Sequence, residues 1–163
     1  MDINLLLVRC ASDSVFENID HDAWSASLRP KVDGSWNLHQ QLPRDLDFFI
    51  LFSSIAGAIG SQGQANYAAG NTFQDGSTKY RLSRGEKAIS LNMSMIADRG
   101  YGLENEEVAR RFAKSRFVLE MTQAEVLALL EHTAISADHL IRHTHSSLLV
   151  WSSRKTSKTE TRT

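Results

Sequence analysis

The sequence has little of several features that would assign it to a particular class of protein. Its 163 residues include a single cysteine, Cys10, which excludes an internal disulfide and the paired cysteines of many zinc sites. The net charge of −1 gives no excess of one sign that would indicate nucleic acid or an acidic membrane as a partner. Its apolar runs are too short for a membrane span, and the first ten residues lack the basic flank of a signal peptide. We therefore expect an ordinary globular protein of a reducing, cytoplasmic compartment.

The six histidines show no pattern that makes a persuasive metal site. His143 and His145 would share a face of a strand, but two imidazoles without further ligands make a weak site. We therefore expect no bound metal.

Apolar runs and helical patterns alternate along the chain. Short apolar runs typical of buried strands occur at residues 3–8, 46–52, 87–93 and 148–151. The run at 46–52 is almost wholly apolar without alternation, which suits a central strand buried on both faces. Helical patterns occupy residues 20–28, 31–42, 65–84, 104–117 and 122–130, the last opened by a capping box. Pro30 is expected to kink or restart its helix. Strands separated by helices predict an α/β fold with a parallel sheet.

The stretch between the second strand and the third helix, SSIAGAIGSQGQANYAAGN, allows several interpretations. Its glycines are spaced G-x-x-G-x-x-G, which matches neither the dinucleotide-binding fingerprint nor a P-loop. No G-x-S-x-G surrounds its serines, so a serine-hydrolase elbow is not indicated. Small residues that let a helix pack closely on a sheet are the simplest alternative.

Three positions in this stretch favour a functional site instead. Ser54 follows the carboxyl end of a buried strand, where open α/β sheets bind their ligands. Tyr67 and Asn71 lie one helical turn apart and therefore share a helix face.

Three separate segments resemble the ketoreductase domains of fungal highly reducing polyketide synthases, within the short-chain dehydrogenase/reductase superfamily. They are LRPKVDGSWNLH, DFFILFSSIAGAIGSQGQANYAAGNTFQD and YRLSRGEKAISLNM. Most of that superfamily carries Y-x-x-x-K, whereas here Asn71 stands fourth after Tyr67 and a lysine occurs at Lys31. This exchange of lysine and asparagine is similar to polyketide synthase ketoreductases. The resemblance covers residues 13–135.

The resemblance implies NADPH-dependent reduction of a β-ketoacyl thioester to a β-hydroxyacyl thioester. Tyr67 would be the general acid. A free phenol has a pKa of about 10, and a nearby ammonium, here Lys31, would favour the phenolate. Ser54 would hydrogen-bond the substrate carbonyl, and Asn71 would hold the lysine or a relay water. The cofactor contacts implied are Lys31, Tyr67, Ser94 and Met95.

Only the carboxyl-terminal half of a ketoreductase is recognisable. The strand, glycine-rich turn and helix that receive a pyrophosphate are missing from the sequence, and we expect them upstream of Met1. The predicted fold is therefore a truncated doubly wound, Rossmann-like parallel sheet with helices on both faces. Residues 1–12 would be a divergent segment, 13–151 the partial domain and 152–163 a polar, disordered tail. In bacterial relatives an LDD-like element indicates which face of the carbonyl receives the hydride. Only Asp13 matches this element here, so the sequence does not predict the stereochemistry of reduction.

Two functions remain open on this basis. The first is a ketoreductase, inactive as this chain alone, acting on a substrate bound to acyl carrier protein, with other synthase domains or a second copy as partners. The second is a non-catalytic half-domain with a structural or partner-binding role. In either case the strand at Phe48–Phe52 needs cover, from residues 3–8, from a second copy or from a partner. We expect an isolated chain to be marginally stable.

Overall fold

The computed structural model of the chain describes residues 5–6, 14–96, 120–135 and 147–149. The chain divides into two compact units, the first formed by residues 1–93 and 128–150 and the second by residues 94–127 and 151–163. The helix predicted at 104–117 and the tail predicted to be disordered from 152 lie outside the described residues.

A parallel sheet forms the centre of the first unit. Its four strands are β1 (Leu5–Leu6), β2 (Ile50–Ser54), β3 (Ile89–Met93) and β4 (Ser147–Leu149). They lie in the order β1-β2-β3-β4, and every neighbouring pair is parallel. The α/β fold with a parallel sheet predicted from the alternation of apolar runs and helices is confirmed.

Four helices and one short 3₁₀ turn accompany the described strands. The turn covers Phe16–Asn18, and the helices are α1 (His21–Gln41), α2 (Ile55–Ile59), α3 (Ala65–Ser83) and α4 (Gln123–Ile135). The N-cap predicted near the start of α1 is present, because Ala23 N donates to Asp20 Oδ1 at 2.8 Å.

Pro30 does not restart the helix, so that alternative is wrong, and the kink stays a prediction. Helix α1 continues through Pro30 to Gln41. A proline inside a helix removes one N–H and leaves the carbonyl four residues earlier without its helical partner. That residue is Ala26, which is exposed, so water can serve its carbonyl and the cost of the interruption is reduced.

The amino-terminal run supplies one neighbour for the most apolar strand. Leu5 pairs with Ile50 and Leu6 with Leu51, which places β1 alongside β2. Strand β2 begins at Ile50 rather than at Leu46, and of the residues before it Leu46, Phe48 and Phe49 are buried whereas Asp47 is exposed. Because residues 48–52 are all buried, the predicted burial of this run is confirmed.

The two faces of the sheet differ in polarity. Register pairs Ser53 with Asn92 and Leu51 with Ser90, so these four side chains share one face. On that face Ser90 Oγ donates to Asp75 Oδ1 on α3, and Ser53 Oγ donates to the Asn71 carbonyl at 3.1 Å. Hydrogen bonds as well as apolar contacts therefore attach α3 to the sheet.

The second unit contains a confirmed helix start. Thr122 N donates to Glu125 Oε2 at 2.7 Å, and Glu125 N donates to Thr122 Oγ1 at 3.3 Å. This is the reciprocal capping box predicted from the sequence. In the same unit, Ile96 forms a parallel bridge with Met121.

A buried charged cluster lies near the amino ends of β2 and β3. Arg81 Nη1 is 3.0 Å from His39 Nδ1 and 3.3 Å from Glu86 Oε2, and its guanidinium carbon lies 4.1 Å from the centre of the Phe49 ring. Because an arginine only donates, His39 Nδ1 must accept, which requires a neutral imidazole. Burial lowers the pKa of His39 below 6.5, nearby arginines lower it further, and Glu86 opposes them.

This cluster makes stability depend on pH. The unfolded state binds a proton at His39 more readily than the folded state, so the free energy of unfolding falls as the pH drops through 6.5. We expect the urea midpoint to decrease between about pH 7.5 and pH 5.5, on either side of the ordinary histidine value. In His39→Gln this decrease should be smaller, whereas the exposed-site control His21→Gln should keep it. An unchanged slope in His39→Gln would contradict the assignment.

Candidate active site

Ser54 ends strand β2 at the carboxyl edge of the sheet. It is half-buried, and its Oγ accepts a hydrogen bond from Ala56 N at 3.3 Å, so it caps the short helix α2. The cap fixes the serine side chain at the edge where parallel α/β sheets bind ligands. Ser54 therefore caps α2 and lies at the edge of the sheet where a ligand would bind.

Lys31 is a buried cation held against the same strand. It lies in the middle of α1 with 4% of its surface exposed. Its Nζ donates to the Phe52 carbonyl at 3.0 Å and to Gln74 Oε1 at 3.0 Å. A buried ammonium is costly unless hydrogen bonds compensate for lost water, and these two acceptors provide that compensation.

Tyr67 lies next to this ammonium. It belongs to the first turn of α3, is half-buried, and the centre of its ring is 5.6 Å from Lys31 Nζ. At that separation the cation and the aromatic ring attract each other. The structure thus brings together the lysine and the tyrosine that the sequence analysis paired, from two different helices.

Asn71 makes a different contact from the one expected. Its Nδ2 donates to the Tyr67 carbonyl at 2.7 Å within α3, and its fully buried Oδ1 has no hydrogen-bond partner among the described residues. The lysine is instead held by Gln74. A buried amide oxygen without a donor is energetically unfavourable, so Asn71 fits the relay-water role better than the lysine-holding role. That role stays a prediction.

Two glycines allow the close approach of the helices that carry the site. A Cβ on Gly70 would lie 3.2 Å from Lys31 Cβ, and one on Gly57 would lie 2.9 Å from Asn71 Cβ. Small residues here let α1 and α2 lie against α3. Close packing is therefore one role of this glycine-rich stretch, although at Gly57 the neighbour is helix α3 rather than the sheet.

A polar network supports the strand end. The Asn92 side chain faces three acceptors, so its amide nitrogen must point toward them. In that orientation it donates to the Ser54 carbonyl at 3.0 Å, Ser53 Oγ at 3.1 Å and Asp75 Oδ2 at 3.3 Å. Strand β3 and helix α3 thereby fix the backbone of Ser54.

The remaining predicted cofactor contacts, Ser94 and Met95, belong to the second unit. Met95 O accepts a hydrogen bond from Met121 N at 2.8 Å, and Ser94 Oγ is buried without a hydrogen-bond partner among the described residues. Both residues directly follow β3 in the chain. Their role in binding a cofactor stays a prediction.

Sequence reasoning missed Gln74 and Ser35. Gln74 follows Tyr67 by seven residues and Ser35 follows Lys31 by four, so each lies on the same helix face as the known candidate. This helical spacing was the available signal. This spacing is a weak signal, because glutamine and serine on a helix usually face solvent.

The described residues include neither a metal site nor a membrane-spanning helix. Within the described ranges no three histidine, cysteine or acidic side chains come together as a metal site would require. Of the helices in the part of the chain that is described, none has the length and apolar character needed to cross a membrane.

Comparison with known proteins identifies the family. The KR (ketoreductase) domain model matches residues 8–98. The chain belongs to the KR domain family. This confirms the family that the three sequence segments resemble.

The relatives of this KR chain are fungal polyketide synthases. It is 46% identical over 129 residues, 78% of the chain, to the highly reducing polyketide synthase ausV of Aspergillus calidoustus. It is 52% identical over 98 residues, 60% of the chain, to a squalestatin hexaketide synthase from a Phoma species. The matched regions span only 5% and 4% of those two synthases.

Solved ketoreductases share the fold. The ketoreductase from the first module of phoslactomycin biosynthesis in a Streptomyces species is 29% identical, with a TM-score of 0.70. An A-type ketoreductase from a modular polyketide synthase is 28% identical, with a TM-score of 0.75. Each comparison covers 88% of this chain but only 31% and 29% of the solved chains, respectively. The Rossmann-like class is confirmed, and the chain corresponds to part of such a domain.

The close contact at Gly70 can be tested with a pair of helix glycines. Nothing lies within 4 Å of a Cβ added to Gly76. We expect Gly76→Ala to raise the free energy of unfolding by about 0.5–1 kcal/mol, because glycine is unfavourable inside a helix. Gly70→Ala gains the same helix propensity but pushes on Lys31, so urea unfolding should show a smaller gain or a loss. Equal stabilisation by both substitutions would contradict the close approach.

Proposed function

We propose that this chain is the catalytic part of a polyketide synthase ketoreductase, which reduces a β-ketoacyl thioester to a β-hydroxyacyl thioester. The observation that carries the proposal is the pairing of Lys31 and Tyr67. An ammonium that α1 and β2 hold inside the protein lies 5.6 Å from a half-buried tyrosine ring on α3. Burying a lysine adds little to the stability of the fold. A buried ammonium does help a neighbouring general acid, because its positive charge stabilises the phenolate that is left after proton transfer.

Tyr67 donates the proton in this proposal. A ketone that receives a hydride becomes an alkoxide, and a phenol O–H next to it supplies the proton. The resulting phenolate is negatively charged, so the Lys31 ammonium stabilises the tyrosine after transfer. Because two acceptors hold the ammonium in place, little reorganisation is needed when charge develops.

Ser54 orients the substrate in the same scheme. A serine hydroxyl both donates and accepts, so Ser54 Oγ can accept from Ala56 N while donating to a substrate carbonyl. The Asn92 amide holds the Ser54 carbonyl and limits movement of the residue. Ser54 therefore adds a hydrogen bond that strengthens as the carbonyl oxygen gains charge.

The chemistry of these side chains fits a nicotinamide cofactor, and we infer NADPH. An ammonium beside a phenol can bind the hydroxyls of a ribose, and the buried Asn71 Oδ1 has no hydrogen-bond partner among the described residues, which leaves it free to accept from a ligand. Lys31 and Tyr67 would hold the nicotinamide end, and Ser94 and Met95 are kept as cofactor-binding candidates on the sequence resemblance alone. The cofactor supplies the hydride when bound.

The pyrophosphate end of that cofactor requires more protein than this sequence contains. A glycine-rich turn between the first strand and helix of a dinucleotide fold has no counterpart in the sequence. The chain also spans about a third of the solved ketoreductases it matches. We therefore propose that the remaining ketoreductase residues, an acyl-carrier-protein-bound substrate and other synthase domains are its partners, in the cytoplasm.

A second candidate function rests on the same incomplete coverage. A half-domain without a pyrophosphate site can act as a structural or partner-binding piece, through self-association or with another protein. Under this alternative Lys31 and Tyr67 contribute only to packing between α1 and α3. The two functions differ in what a substitution of Tyr67 does to turnover.

The first test uses a completed enzyme, meaning this chain joined to the amino-terminal part of a related synthase's ketoreductase. We expect Tyr67→Phe and Lys31→Ala to lower kcat for a β-ketoacyl thioester by about 10²–10⁴-fold, the usual contribution of general acid catalysis. KM should change little. Tyr80→Phe is the matched control, because Tyr80 is an exposed tyrosine near the other end of α3. Normal turnover in Tyr67→Phe would remove this residue from the site.

The second test uses the chain by itself. Without a pyrophosphate site it should bind NADPH too weakly for turnover, so we expect no NADPH consumption with a small β-ketoacyl thioester. Absorbance of the reduced nicotinamide measures this directly. Turnover by the chain alone that disappears in Tyr67→Phe would show that the chain is sufficient.

A further inference from the structure

The acceptors of the Lys31 ammonium include a side chain that neither the sequence motifs nor the family resemblance assigns. Gln74 Oε1 accepts from Lys31 Nζ at 3.0 Å, and Gln74 is 1% exposed. A second acceptor is the Phe52 carbonyl of β2, which no side-chain substitution can remove. Gln74 is therefore a contact whose substitution can change the position of the ammonium.

The Gln74 amide has only one workable orientation. A lysine ammonium is a donor with no acceptor, so the amide oxygen must face Lys31. The amide nitrogen then points away and donates to Ser35 Oγ at 3.2 Å. Ser35 has no exposed surface and lies one turn after Lys31 on α1. The lysine and the serine of one helix thus bind the two ends of a single glutamine on the other helix.

The neutrality of Gln74 is chemically important. A carboxylate at the same place would also accept from the ammonium, but its negative charge would offset the positive field that acts on Tyr67. An amide oxygen holds the ammonium while leaving its charge intact. Glutamine can therefore hold the cation in place without neutralising its charge.

We propose that Gln74, oriented by Ser35, is a positioning residue that holds the Lys31 ammonium beside Tyr67 without neutralising its charge. The holding part concerns contacts within the chain. The catalytic part rests on the proposed ketoreductase function. Two measurements therefore test the two parts separately.

The first measurement follows the Lys31 ammonium in the chain itself by NMR with ¹⁵N-labelled lysine. Loss of a signal in Lys31→Met assigns it. Hydrogen bonding should slow exchange of the ammonium protons with water relative to Lys79, which is exposed. Gln74→Met removes the acceptor but keeps a similar shape, and we expect about tenfold or faster exchange, the size of a lost hydrogen bond to a charged group. Gln74→Glu should keep the exchange slow.

Two further variants complete this measurement. Thr78→Val is the matched control, because it removes a buried hydroxyl that donates to the backbone carbonyl of Gln74 and not to its side chain, and it should leave exchange unchanged. Ser35→Ala releases the amide and should accelerate exchange by less than Gln74→Met. If Gln74→Met does not fold, Ser35→Ala decides the question. Unprotected Lys31 protons in the parent chain, or unchanged exchange in the folded variants, would overturn the proposal.

The second measurement uses the completed enzyme. Gln74→Met should lower kcat about tenfold with KM little changed, since losing a hydrogen bond to a charged group has that size. Gln74→Glu should also lower kcat and move the alkaline limb of the kcat profile to higher pH, because a partly neutralised ammonium stabilises phenolate less. Thr78→Val should do neither.

The two arms separate the possible failures. If Gln74→Met accelerates exchange but the completed parent enzyme does not reduce the thioester, the holding role stands and the proposed function is overturned. If the enzyme is active and Gln74→Glu behaves as the parent does at every pH, the role of neutrality is overturned.

Discussion

A buried ammonium between two helices is the constraint on which this structure depends. Lys31 Nζ binds a β2 carbonyl and the Gln74 side chain of α3, so one cation joins α1, α3 and the sheet. Such a charge is tolerated only with good hydrogen bonds. Gly70 favours the same arrangement, because a Cβ added there would lie only 3.2 Å from Lys31 Cβ.

Around that cation the interface between α1 and α3 is built from small and polar residues rather than apolar ones. Its buried residues on α1 are Ser27, Lys31 and Ser35. Those on α3 include Asn66, Gly70, Gln74 and Arg81. Polar interfaces of this kind bring backbones close and fix side-chain directions through hydrogen bonds, but they add less hydrophobic free energy. A catalytic lysine benefits from that rigidity, and the apolar strands beside it supply the burial that the helices lack.

The two ends of the unit divide the polar chemistry between them. Toward the carboxyl edge of the strands lie Ser54, Lys31 and Tyr67, the side chains of the proposed active site. Near the amino ends lies the cluster of Arg81, His39 and Glu86, in which the guanidinium also stacks on the Phe49 ring. We expect protonation of His39 in the second group to lower the stability of the fold. The first group is the site of the proposed reaction.

The sequence by itself determined the layers and the family. A nearly unbroken apolar run marked the buried strand β2, a run interrupted by two polar residues marked β3, and the spacing of Tyr67 and Asn71 placed both on one face of α3. It did not determine the continuity of α1 through Pro30, because solvent access to the Ala26 carbonyl depends on which face of the helix is exposed. Only the tertiary structure decided that Lys31 is held by Gln74 and that Asn71 binds its own helix. Residues on separate helices meet through packing, and no local pattern specifies which of several polar side chains will face a buried charge.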